Sequence, residues 1–490
     1  MRWDSGGNRN ADGYCDAWGM RGEADALRGF KTRLKRDEHN GHARTPPGIF
    51  VTEGLKHFAS LIRFGVRILP MVTGLMALIV GQILVVRGVG REVFGEFSYI
   101  MAWIGAATII AKAGYEYAAA KVLPRLQADG AYKALRRTIG IIFFRVTRTS
   151  FLAMAGLAAL ITINPLGEPD GVKNGVLCGI PLVFLMSING VRTAVAGAIG
   201  KYWMAQIPDN VVRPLLMGGV VLAMARFNSL VDGRGLVVVA VAVYLIISTI
   251  GFGWTWLKLP AGTGPDVDSD AAARGMTAVA GYMGLTNIFT GIVRNANILI
   301  VGNYVSLAEL AVYVAASRMT ELMNLVYMLL DPIAVPQFSR MDHAGNLGES
   351  RRIASNYVFT SASIGVLLWL LFAIFGSRLL SLYGPGFSGG ATVMLLMATA
   401  YLTNSTTGPA SQILAITGLH RLNFYITVVA TLLYLLALGI LTSRYGIAGA
   451  AVSMILYQTV RNFSQALFVW KLKRVNTMVF GARIGRGSKS

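Results

Sequence analysis

The chain has 490 residues, of which 54% are hydrophobic and only 14% charged, where a soluble domain carries about a quarter charged residues; an ordinary soluble enzyme is excluded and a membrane protein indicated. The net charge of +21 is compatible with a nucleic-acid partner, but the basic residues flank long apolar runs, so they read as loops and tails beside anionic lipid. With only Cys15 and Cys178, and with His39, His42, His57, His343 and His420 all outside those runs, no disulfide framework, metal site or cofactor is expected.

Residues 1–65 read as a basic cytoplasmic tail, with Lys31, Arg33, Lys35 and Arg36 close together. The composition fits a disordered segment; a lipid-surface contact, or a later start at Met20, are the alternatives. Twelve runs are then long and apolar enough to cross a bilayer. They lie near 66–86, 97–119, 139–163, 176–200, 205–226 and 235–257, and again near 276–302, 308–333, 355–376, 389–415, 422–442 and 447–470. The third and fifth are the weakest, interrupted by Arg145 and Arg148 and by Asp209, Arg213 and Pro214. The expected fold is therefore an all-α integral membrane protein of about twelve transmembrane helices. Its two lobes would be 66–257 and 276–471, joined by a polar linker at 258–275 and followed by a basic tail at 472–490. A six-plus-six layout is a common transporter plan. Lysines and arginines concentrate in the tails and in the loops on their side, so both termini are expected in the cytoplasm of a multi-pass inner-membrane protein.

Charges inside the apolar runs carry the functional signal, because each costs at least about 2.5–3.5 kcal/mol at a helix centre unless paired or hydrated. Three spacings put opposite charges on one helix face: Lys112 with Glu116, Asp209 with Arg213, and Arg318 with Glu321. These read as structural ion pairs. Arg145, Arg148, Arg192, Arg294 and Arg461 have no acid at helical spacing, and Asn287, Gly291 and Arg294 form a polar stripe with Asn297 on its shoulder. Such a set must face water or counter-charges. A cavity lined by Arg294, Arg318, Arg192, Arg145 and Arg148 with Asn287 and Asn297 would take phosphates and carboxylates, which guanidinium binds bidentately. For Arg145 and Arg461, near helix ends, the alternative is snorkelling to the interface.

Several stretches resemble the polysaccharide transporter family of Wzx-type oligosaccharide flippases, in the MOP superfamily with MATE exporters and the lipid II flippase. From Ile298 to Pro336, a short acidic loop precedes a "G-x-Y-x-x-A-x-R" run in which Ala311 stands at the usual glycine, followed by Tyr313, Ala316 and Arg318. Leu379 to Gly390 (LLSLYGPGFSGG) is similar to a loop before the tenth helix, and Tyr445 to Ala451 (YGIAGAA) to the entry of the twelfth. REVFGEFSY at Arg91–Tyr99 and VVRPLL at Val211–Leu216 extend the resemblance into the first half. It implies two lobes around a central cavity that opens alternately to each side. The implied substrate is an undecaprenyl-diphosphate-linked oligosaccharide, with membrane lipids, a polymerase and glycosyltransferases of the same pathway as partners. Arg213 and Arg318 occupy positions with family counterparts.

Other activities are less well served. An ion-coupled MATE-like exporter of small molecules would want acids on the first helix, and 66–86 holds none. A membrane glycan polymerase or transferase would want a long loop with paired acids, and the loops are short. With no G-x-x-x-x-G-K-[ST] and no serine–histidine pairing, no enzyme activity is expected.

Overall fold

The computed structural model describes residues 49–163, 167–227, 232–259, 295–327, 347–417 and 419–473, with isolated positions beside them and side chains from Leu69 onward. Among these residues every regular element is helical. Helix α1 (Ile49–Val89) starts well before the first expected span, so 49–65 is helical rather than part of a disordered tail. The sequence allows this, since Leu55, Phe58, Leu61 and Ile62 keep helical spacing and no proline occurs between Pro47 and Pro70. Residues 1–48 lie outside the described set.

Helices α2 (Arg91–Lys112) and α3 (Tyr115–Ala128) divide the second expected span at Ala113 and Gly114, both of which have positive φ. Then come α4 (Tyr132–Ile163), α5 (Asp170–Ala198), α6 (Tyr202–Arg226, with a π-helical turn at Ile207–Val212) and α7 (Gly233–Leu257). In the second half a helical stretch at 295–302 precedes α8 (Leu307–Thr320), which opens with a capping box between Ser306 and Glu309. Helix α9 (Leu347–Ser381), α10 (Ala391–Thr407) and α11 (Ala410–Ile416) follow, the last two dividing the tenth expected span at Gly408 and Pro409. Finally α12 (His420–Lys473) is broken at Gly446, whose φ of 58° only glycine adopts readily. Among the described residues, eight helices are long and apolar enough to span a bilayer, and the break divides the last of them, Arg421–Leu472, into two segments. Large apolar side chains face outward along α4, α7, α9 and α12, among them Phe144, Leu152, Ile250, Leu367, Ile374 and Leu436. Lipid covers such a surface; water would not. The chain is an all-α, multi-pass membrane protein.

Helix α1 packs along α6 through Gly74, Gly81 and Gly88, one glycine every two turns. A Cβ on Gly81 would overlap the Pro214 carbonyl, and one on Gly218 would sit 2.7 Å from the Gly81 carbonyl oxygen. The two backbones therefore touch, which is how membrane helices associate without a hydrophobic driving force.

The apolar core has a polarity of its own. One cluster joins both halves of the chain and contains the late part of α1, α2 from Phe94 to Ala111, the late part of α4, the first half of α5, the start of α7, α8 from Leu310 on to Met323 just beyond it, and parts of α9, α10 and α12. The shares of α1, α4, α5 and α7 lie towards the membrane face opposite the start of α1, whereas α2 and α8 contribute along their lengths. Two further clusters lie towards the termini: one is built only from residues between Tyr115 and Leu259, the other only from residues between Ala334 and Val475. The halves thus share a core along α2 and α8, and each also keeps a core built only from its own residues.

Replacing Gly81 by leucine should strip the α1–α6 contact and lower the yield of monodisperse protein in detergent size-exclusion chromatography, at a cost of about 1–3 kcal/mol or more. Gly219→Leu, one residue beyond Gly218 and facing open space, should behave as wild type. Equal yields for the two variants would show that the close approach is not needed.

Candidate functional site

The first polar cluster inside the span is built by two prolines. Pro208 has no N–H to give the Met204 carbonyl, and Pro214 has none for the Asp209 carbonyl in the π-helical register, where the Arg213 N–H goes to Pro208. Both orphaned carbonyls are taken by arginines. Arg192 of α5 donates from Nη1 to the Met204 oxygen at 3.0 Å, and Arg213 donates from Nε to the Asp209 oxygen at 3.0 Å. The widened turn also directs the Asp209 carboxylate at Arg192, with which it forms a salt bridge. Asn189 accepts from Arg192 Nε at 3.2 Å, donates to Ser248 at 2.6 Å, and so ties α5 to α7.

This corrects two expectations. Arg192 is not a cavity residue: its side chain is 1% exposed, with every donor direction directed into protein. Asp209 and Arg213 do not pair through their side chains, because the carboxylate is committed to Arg192. Arg213 keeps only the backbone carbonyl and stacks its guanidinium 4.7 Å from the centre of the Tyr244 ring. Helical spacing alone pointed to the wrong partner because the acid was reached from another helix.

The remaining basic residues divide by surroundings. Lys112 Nζ meets Glu116 Oε2 at 2.9 Å across the break between α2 and α3, and the pair lies over Gly190 of α5. Arg145 is half-buried, 3.5 Å from the Tyr115 hydroxyl. Arg148 is exposed on a face it shares with exposed Phe144, Phe151 and Leu152; it looks outward from α4, where a long side chain reaches the interface by snorkelling. These two arginines therefore do not share one environment. Arg294 and Asn287 lie outside the described residues.

Arg318 differs from all of these. From Leu310 to Thr320, α8 is buried on every side except at Ser317 and Arg318. The Arg318 side chain is 27% exposed and its partner Glu321, 2.7 Å away, is 25% exposed. Within this stretch of α8 the exposure is confined to Ser317 and Arg318. At about 1.5 Å per residue, Arg318 lies about 16 Å from the start of α8, deep in a hydrocarbon core about 30 Å thick. Arg461 lies at comparable depth on α12, its Nη1 3.3 Å from the Tyr457 hydroxyl. Both guanidinium groups leave a buried Nε–H without an acceptor. Asn297 also leaves its buried Oδ1 unpartnered, and its side chain, like the Tyr313 hydroxyl, faces the hydroxyl of Tyr434, whose ring centre is 5.1 Å from that of Tyr457.

The two halves meet along α2, which packs against α8 and the 295–302 stretch. Gly95 is in backbone contact with Leu307, Gly302 receives the Tyr99 ring, and Gly105 faces Asn295. Tyr99 lies 2.7 Å from Glu168 Oε1 and 2.9 Å from Asn303 Oδ1, so one phenol touches both halves. These residues were not singled out from the sequence; a tyrosine and a glycine inside an apolar run carry no charge to flag them.

Comparison with known proteins agrees with this architecture. Residues 215–382, about a third of the chain, match the family described as polysaccharide biosynthesis protein. A search of curated proteins returns no match. Among solved structures, the lipid II flippase MurJ in an inward closed conformation aligns with a TM-score of 0.64 at 11% identity, over 86% of this chain and 91% of that one. An inward-facing multidrug resistance MATE family transporter of the MOP superfamily aligns with a TM-score of 0.57 at 14% identity, over 83% and 96%. The bent form of the MATE transporter VcmN from Vibrio cholerae gives 0.53 at 16% identity, over 85% and 98%. This chain shares the fold of these transporters. The matched family segment runs from α6 to the end of α9 and includes Arg318, so the resemblance seen in the sequence and the internal polar site fall in the same region.

Breaking a buried ion pair from one side leaves an uncompensated charge and costs about 3–5 kcal/mol. Asp209→Asn and Arg192→Met should each reduce folded protein sharply, while the double variant should recover part of the loss. Arg213→Ala, which removes a backbone hydrogen bond and a stacking contact, should be milder. If Asp209→Asn and Arg213→Ala were instead coupled in a double-mutant cycle, the assignment of Asp209 to Arg192 would be wrong.

Proposed function

We propose that this protein is a flippase that carries undecaprenyl-diphosphate-linked oligosaccharide across the inner membrane for cell-surface polysaccharide synthesis. The observation that carries the reading is Arg318, a partly exposed guanidinium at mid-membrane depth on a helix otherwise enclosed by protein. Arg461 adds a second cation with an unsatisfied buried donor. Diphosphate is the chemistry that two such forks recognise. Arg294, one turn before Asn297 in the sequence, is a third candidate.

In this reading the two lobes are 66–257 and 276–471, and they rock about the α2–α8 seam. The backbone contact of Gly95 with Leu307 and the Tyr99–Asn303 hydrogen bond, at the starts of α2 and α8, support a state closed on the face opposite the start of α1. With both termini cytoplasmic, that state accepts substrate from the cytoplasm, where lipid-linked glycans are assembled by glycosyltransferases. The sugar and diphosphate occupy the interior and the prenyl tail stays in lipid, so no covalent chemistry is required. The match to polysaccharide biosynthesis proteins supports this cargo over a small-molecule one.

Export is tested by complementing a strain that lacks the gene, with membrane abundance measured alongside. Arg318→Ala should reduce surface glycan at least tenfold at normal abundance, and Arg318→Lys should recover only part, since an ammonium keeps charge but loses the planar fork. Full export by Arg318→Ala would remove this arginine from the substrate path. Orientation is tested separately: a cysteine at Arg136 should resist labelling from outside intact cells, whereas one at Lys173 should react. The opposite pattern would invert the topology.

A further inference from the structure

Away from the internal arginines, the face opposite the termini carries a second cationic feature. A cavity of about 510 Å³ lies where α1 and α2 of the first half meet the turn between α9 and α10 of the second. Its lining includes Arg87, Arg91, Ser381, Gly384, Gly386 and Ser388, and no carboxylate. Arg87 donates from Nε to the Leu382 carbonyl at 2.9 Å, which leaves its two terminal nitrogens uncommitted. The Arg91 guanidinium has no hydrogen-bond or ion-pair partner among the described residues and lies over the backbone of Gly386, where a Cβ would strike Nη1. Gly386 has a φ of 83°, so the turn that makes room for this arginine also disfavours any other residue there.

We propose that this cavity is a binding site for a phosphate or diphosphate group, held by Arg87 and Arg91 from one half and by the Ser381–Ser388 turn from the other. Two guanidinium groups within one cavity, one wholly free and one with its outer fork free, present the bidentate geometry that phosphate oxygens accept. The cavity lies at the ends of three spanning helices, α1, α2 and α9, which places it at headgroup depth. An anion there contacts both halves at once and therefore favours the state in which this face is closed. The phosphate has two sources at that depth: the diphosphate of a transported lipid, or the headgroup of a bilayer phospholipid. The site does not depend on the glycan assigned above, because only phosphate chemistry enters the argument.

The test uses full-length protein in nanodiscs of neutral lipid, titrated with inorganic pyrophosphate, with the midpoint of thermal unfolding and the apparent affinity as readouts. Pyrophosphate should stabilise the wild type, and the apparent affinity should fall at least tenfold in Arg91→Gln, which breaks no protein contact, and further in Arg87→Gln/Arg91→Gln. Arg226→Gln, which removes an exposed charge elsewhere on the same face, should bind like wild type. The discs are then remade with phosphatidylglycerol. If pyrophosphate still binds as before, the diphosphate of a transported lipid is the occupant; if phosphatidylglycerol abolishes the response in wild type, a bilayer phospholipid fills the site. No response in wild type, or equal affinity in wild type and the double variant, overturns the proposal, and neither result bears on whether Arg318 variants export glycan.

Discussion

A guanidinium surrounded by hydrocarbon is among the most expensive groups a chain can carry into a bilayer, and much of the interior is arranged around how each arginine escapes that cost. Arg192 escapes by total enclosure, with Asp209, Asn189 and a proline-freed carbonyl taking its donors. Arg213 uses another proline-freed carbonyl and an aromatic face. Arg148 looks outward and reaches for the interface. Arg318 and Arg461 escape only in part, because each keeps a buried donor without an acceptor. In a fold that invests two prolines and a π-helical turn to satisfy Arg192, an unsatisfied arginine at mid-depth is a departure that points to function rather than to packing.

The same proline logic explains why α6, the least apolar of the expected spans in the first half, is stable in the membrane. Its Asp209, Pro208 and Pro214 look like three defects in sequence. In the fold they form one device: the prolines open the helix, the opened carbonyls and the carboxylate receive two arginines, and those arginines fasten α6 to α5 and α7. On its other side α6 is held by the glycine row of α1. Polar groups that oppose insertion one at a time become, together, the contacts that hold α5 and α7 against α6.

Much of this was legible in the sequence, and the limits are physical. Apolar runs gave the membrane class because hydropathy over about 20 residues is a strong signal. Two spans were broken where backbone conformation, not hydropathy, decides: Ala113 and Gly114 adopt positive φ, and Pro409 cannot continue α10. Charge pairs between near neighbours in sequence, Lys112–Glu116 and Arg318–Glu321, follow directly from spacing. The Arg192–Asp209 pair joins α5 to α6, and no spacing rule along one helix reaches it. The glycine row at 74, 81 and 88 was present as a seven-residue period but is silent until its partner helix is known. Tyr99, Tyr434 and Tyr457 were hidden for a similar reason, since an aromatic in an apolar run reads as packing until its hydroxyl is seen to meet a polar group.

The seam between the halves decides what the unsatisfied arginines can do. Gly95 and Gly302 bring α2, α8 and the 295–302 stretch into close contact, and Tyr99 adds a hydroxyl that touches both halves. Towards the termini the cores of the two halves are separate. The α8 helix runs from the closed end, and Ser317, Arg318 and Glu321 are partly exposed while their apolar neighbours Ala316, Met319 and Met323 stay buried in the shared core. A polar cargo reaching Arg318 would meet the closed seam beyond it. Moving it further would require the contacts at Gly95 and Tyr99 to part, together with the apolar core that the two halves share. Each half also keeps a core built only from its own residues, so the seam can open without unfolding either half.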